Sequence, residues 1–182
     1  MILKSLPVRL SDKIFFVIQS LLKYNSFNFA IYLRSLLYKP FFKSFGSGVK
    51  IKDGVTFKFP SEIELGCNCS IGEFSYFVGK KGLKIGNNAL VAAGTKVITS
   101  THNIENIDIP VAFQGLSFAS IEIGNDVWIG FDVKIFGNTI IGNSVIIGAG
   151  SLVKNTRIEQ YSVIAGVPAK LIKMRNKAQI SN

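Results

Sequence analysis

Histidine occurs once in this 182-residue chain, tryptophan once and cysteine twice. A single histidine leaves a three-histidine zinc centre without its ligands. Cys67 and Cys69 stand two apart, with neither C-x-x-C spacing nor a third ligand nearby. A disulfide framework or a zinc site is not expected; two free thiols filling small positions in a reducing cytosol are. Long apolar runs are missing too. The most apolar region is cut by Gln19–Ser20, by residues 23–26 and by Arg34–Ser35, short of the roughly 20 residues that span a bilayer. No small-residue cleavage site follows it, so no signal peptide is expected.

Acidic residues are scarce, 11 against 21 Lys and Arg, and the imbalance is uneven. Residues 1–50 carry eight basic side chains against Asp12, residues 51–153 seven against nine acids, and residues 154–182 six against Glu159. Two basic ends around a near-neutral centre suit two separate anionic partners better than one nucleic-acid track. Hydrophobic content of 48% with 18% charged residues argues against disorder, and the length suits one domain with an appendage.

The appendage is residues 1–45. Ile14, Val17, Ile18, Leu21 and Leu22 have the spacing of an amphipathic helix, with Ser11 as its N-cap and Asp12 in the first turn. A second helix is expected over about residues 28–38, stopped by Pro40. Two roles stay open for this basic, aromatic pair: capping the main domain, or also resting on an anionic membrane surface.

From residue 46 the chain repeats in sixes. Leu65, Ile71 and Phe77 share one register, and Ile85, Val91 and Val97 a second. Ile123, Ile129, Ile135, Ile141, Ile147 and Val153 then run without a slip, while Ile51, Phe57 and Ile63 form an earlier, poorer set. Gly follows the aliphatic residue at many repeats, read here as freedom for tight corners. Small or β-branched residues stand four places on, from Ala89, Thr95 and Thr101 to Val145 and Ser151. One large aliphatic per short unit marks a parallel β-helix, each unit a strand and a turn.

The stretches "IGNDVWIGFDVKIFGNTIIGNSVIIGAGSLVKN" and "AGVPAKLIK" resemble the hexapeptide-repeat acyltransferases over about residues 45–175. Among these, the sugar and polysaccharide O-acetyltransferases are the most similar. The resemblance implies an all-β, left-handed parallel β-helix, assembled as a homotrimer, with the N-terminal helices and a short basic C-terminal tail attached. It also implies acetyl-CoA as cosubstrate, a carbohydrate acceptor and no metal. Cytoplasmic placement, peripheral to the inner face of the cell membrane, would follow for the polysaccharide branch.

The repeat breaks after Val97. His102 closes the last hexad before a loop expected at about residues 103–121, with Pro110 and Gly115 as bend points. Alone, His102 reads as a surface residue opening a loop. The resemblance makes it the general base that takes an acceptor hydroxyl proton, a task suited to imidazole. Glu105 and Asp108 are candidates to orient it, as is a backbone carbonyl. The resemblance further assigns Ala149 to the pantetheine groove, Lys154 and Asn155 to a coenzyme-contacting pair, and Lys170 and Lys173 to the nucleotide phosphates. By the resemblance Trp128 would wall the site, a reading favoured over ordinary packing where two subunits meet. Phe131 stands where some relatives have a small polar contact. N-acetyl transfer to a sugar nucleotide or small molecule, and a non-catalytic membrane-binding β-helix, are the competing readings.

Overall fold

The structure, a computed structural model, describes residues 10–176. The chain winds into a three-sided parallel β-solenoid of about six turns. The first side stacks Ser44–Phe45, Ile63–Leu65, Leu83–Ile85, Ile121–Ile123, Thr139–Ile141 and Thr156–Ile158. The second stacks Lys50–Ile51, Ser70–Ile71, Leu90–Val91, Trp128–Ile129, Ile146–Ile147 and Ser162–Gly166. The third stacks Thr56–Lys58, Tyr76–Val78, Lys96–Ile98, Lys134–Phe136 and Leu152–Val153.

The hexad aliphatics are the inner ladders. Ile71 pairs with Ile51 and Val91, and Ile135 with Val97 and Val153, all buried. Small residues four places on, such as Cys69, Ala89, Val127 and Val145, are buried beside them. Cys69 is therefore a packing residue, its thiol pushed up by burial. Two details of the expected pattern move. Phe45, paired with Leu65, opens the first coil, and Ile63, two residues before Leu65, stacks in a second buried column with Leu83 and Ile121 rather than in the hexad ladder. Thr101 is exposed, because its hexad has already left the solenoid.

The repeat glycines have a different reason from the one expected. At Gly72 an added Cβ would lie 2.5 Å from Ala92 C and Ala93 N, the backbone of the next coil. Position, not conformation, demands glycine there. The left-handed corner falls two residues later, at Asn68, Phe74, Asn88, Asp126, Asp132 and Ser144, all with φ of 52–58°. Asn and Asp tolerate this region better than most residues.

Helix α1 (Leu10–Leu22) and helix α2 (Asn28–Tyr38) close the first coil, whose apolar ladder would otherwise end in water. Phe15 meets Tyr38 edge-on at 5.0 Å, Phe42 meets Phe57 at 5.0 Å, and Phe57 stacks on Phe77 at 5.0 Å. The second helix matches its expected span, with a 3-10 turn through Pro40 after it. The first does not present its expected face. Leu10 is already helical, so Ser11 lies within the helix rather than at a cap, and the buried line is Asp12, Phe15 and Gln19. Ile14, Val17 and Leu21 face outward; only Ile18 and Leu22 of the expected stripe pack on the core. Specific polar contacts outweigh the stripe: Gln19 accepts from Phe57 N at 2.7 Å and donates to its carbonyl at 3.3 Å.

At the other end, Ala169–Met174 folds back antiparallel on Ser162–Gly166. Much of the expected tail is thus a strand; residues 177–182 lie outside the described residues. No helix among the described residues is long and apolar enough to cross a membrane.

Candidate active site

The interruption after Val97 is a β-hairpin that begins earlier than expected. Ser100–His102 pairs antiparallel with Leu116–Phe118, and Ile121 is already back in the first side. Its base is fixed to the solenoid: Thr99, buried, donates to the Val78 carbonyl through Oγ1 at 2.9 Å, and Ala119 N donates to Thr99 O at 2.8 Å. His102 ends the outgoing strand, opposite Leu116, and is exposed.

Beyond His102 the loop is organised by amides. Asn103 Nδ2 donates to Gln114 O at 3.0 Å, and Ser117 Oγ donates to Asn103 Oδ1. Pro110 leads into a 3-10 turn at Val111–Phe113, and Gly115 has φ 83°. Neither Glu105 nor Asp108 hydrogen-bonds to His102; the Asp108 contact is its own N–H donating to Asn106 Oδ1 at 2.9 Å.

A groove of about 400 Å³ lies where the hairpin leaves the corner between the third and first sides. Thr101, the residue before His102, forms part of its wall, with Thr99, Phe136, Leu152, Lys154 and Asn155. Among its lining residues Lys154 is the sole ion, so the groove favours an anionic or polar guest. Phe136 and Leu152 were not singled out from sequence. The available signal was an apolar residue at an outward position, where Lys134 precedes Leu152 in the same column.

The other candidates lie elsewhere on the chain. Trp128 is half exposed on the second side, between Leu90 and Ile146. Ala149 is exposed at the corner between the second and third sides, where Gly150 N donates to Phe131 O at 2.7 Å. Lys134 and Lys96 bracket Asp132 at that corner, at 2.9 and 3.0 Å, and hold its carboxyl below the usual range. Lys170 and Lys173 sit on the returning strand, opposite Ala165 and Val163. One chain therefore carries two groups on different sides: His102, Lys154 and Asn155 in one, and Trp128, Ala149, Lys170 and Lys173 in the other.

A solenoid of hexads with a hairpin at one corner defines a class, and the comparisons agree with it. Residues 120–155 match the bacterial transferase hexapeptide family, six repeats. A galactoside O-acetyltransferase of Escherichia coli K12 is 32% identical over 143 residues, covering 79% of this chain and 69% of that protein. WbbJ of the same organism, named for lipopolysaccharide biosynthesis O-acetyl transfer, is 32% identical over 118 residues, 60% of this chain. The match spans 59% of the WbbJ length. A solved galactoside acetyltransferase in complex with coenzyme A shares the fold with a TM-score of 0.81 at 26% identity, covering 91% of this chain and 81% of that one. The chain belongs to the hexapeptide-repeat transferase family.

Proposed function

We propose that this protein is an O-acetyltransferase that moves the acetyl group of acetyl-CoA to a sugar hydroxyl in a surface polysaccharide or its lipid-linked precursor. The observation that carries the reading is a groove whose one charged lining residue is Lys154 and whose wall includes Thr101, the residue before His102 on the hairpin strand. An alcohol is a weak nucleophile until its proton is removed, and the thioester carbonyl is already activated. His102 takes the hydroxyl proton as the sugar oxygen bonds to that carbonyl carbon. The carbon–sulfur bond then breaks, and the proton passes from His102 to the departing thiolate. No covalent enzyme intermediate is needed.

Lys154 and Asn155 supply a cation and an amide beside the base, and Lys170 and Lys173 meet phosphates as point charges. These groups lie on different sides of one chain, and the hairpin tip shows Ile104, Ile107 and Phe113 to solvent. Both features support a homotrimer in which the hairpin of one copy faces Trp128, Ala149 and the terminal lysines of the next. The placement that fits acetyl-CoA supply is the cytoplasm.

The test is transfer from acetyl-CoA to a panel of lipid-linked sugars, free glycosides and amino-sugar nucleotides, read by mass spectrometry. An added acetyl ester on a hydroxyl acceptor is expected. Amide formation alone would move the protein to N-acetyl transfer, and no acetyl-CoA-induced melting shift would remove the enzyme reading.

A further inference from the structure

Helix α1 meets the coils with two polar residues, Asp12 and Gln19, on either side of Phe15. The buried Asp12 carboxylate accepts from Ser61 Oγ at 3.1 Å and Ser61 N at 3.4 Å, and Gln19 is bonded to Phe57 on both sides of its amide. Helix α2 behaves alike: buried Arg34 donates to Ile51 O at 2.9 Å and to Asn25 O at 2.7 Å. With polar residues sharing the inward faces, several large apolar ones are left outside. Leu10, Ile14, Val17 and Leu21 form a line on α1, Leu21 being 79% exposed. Phe29, Tyr32 and Leu36 form a line on α2, Phe29 being 71% exposed. This is the reverse of a helix whose outer face meets water.

The charge that the helical segment itself carries is mostly of one sign, although Asp53 of the first coil accepts from Ser26 Oγ at 3.2 Å between the helices. Lys13, Lys39 and Lys50 are exposed and join no ion pair among the described residues, whereas the only acid of the first fifty residues, Asp12, is buried. The whole segment carries eight basic side chains against that one. We propose that the outer face of the two helices docks on an anionic lipid surface. The helices lie in the interface plane, their apolar lines among the acyl chains and their lysines at the headgroups. Charge complementarity selects this occupant, and the exposed apolar lines spread over both helices. The surface shares no residue with the groove beside His102, so it stands or falls apart from the acetyl-transfer reading.

The test is flotation of the full chain with vesicles of phosphatidylcholine, with and without phosphatidylglycerol. Binding is expected with the anionic vesicles, weak with neutral ones, and falling as salt is raised. Lys13→Glu with Lys39→Glu, and separately Val17→Ser with Leu21→Ser, should each weaken it about tenfold or more. All four positions are exposed or half-exposed in this fold, so the melting temperature should hold. Absent binding to anionic vesicles, or binding that neither double variant reduces, overturns the proposal. A lower oligomer mass in the Val17/Leu21 variant would also overturn it, since a second copy would then cover this face.

Discussion

Gln114 grips Asn106 through both ends of its side-chain amide: Oε1 accepts from Asn106 N at 3.1 Å and Nε2 donates to Asn106 O at 2.7 Å. The same Nε2 donates to Ile109 O at 2.7 Å. One side chain thus ties together a loop with few apolar contacts of its own. Hydrogen bonds contribute about 0.5–1.5 kcal/mol each, so Gln114→Ala should release the loop with little effect on the solenoid. Hydrogen exchange should quicken across residues 103–113 while the melting temperature shifts only slightly. A large drop in melting temperature would show that the loop belongs to the global fold.

Because the His102 ring takes part in no hydrogen bond among the described residues and is exposed, its removal should be silent for stability. His102→Asn should retain wild-type melting and oligomer mass yet lose at least about 100-fold in turnover, the typical worth of a positioned base. Turnover near wild type would place the base elsewhere.

The hexad period made the inner ladders readable, because each ladder position is filled by one large aliphatic and buried by its neighbours above and below. The second helix was equally legible, since Pro40 marks its end. The face of α1 was not. Its apolar spacing is genuine, but the docking partners Ser61 and Phe57 lie about forty to fifty residues away and reward Asp12 and Gln19 instead. At the candidate site, the break in period pointed to the segment that leaves the solenoid as a hairpin, and the resemblance pointed to Lys154 and Asn155, which line the groove at its base. The groove walls Phe136 and Leu152 escaped, since an outward apolar residue carries no chemistry of its own.

Two kinds of glycine should separate under mutation. Gly72 has next-coil backbone within 2.7 Å of an added Cβ, whereas Gly150 has φ 69° and open space around it. Gly72→Ala and Gly72→Asn should both destabilise, by about 1–3 kcal/mol or more from overpacking. Gly150→Ala should cost about 1–2 kcal/mol for its left-handed backbone, and Gly150→Asn less, because Asn visits that region routinely. Chemical denaturation of the four variants measures the difference. A tolerated Gly72→Asn would refute the steric account.

Tyr38 supplies a pH dependence with a definite sign. Its ring is fully buried against Phe15, and its hydroxyl makes no hydrogen bond among the described residues. Burial pushes the phenol up to about 12, opposed by the nearby Arg34 guanidinium. An unfolded chain releases this proton near pH 10, so the unfolded state gains on the folded one above that value. The stability contribution is therefore complete below about pH 10 and lost as pH rises through about 12. Tyr38→Phe keeps the ring packing and removes the titration. It should leave stability at pH 7 unchanged or slightly raised, and shift the alkaline unfolding midpoint to higher pH. Circular dichroism across pH 8–12 would measure this, and a variant that unfolds at the same alkaline pH as the parent would assign the transition to other groups.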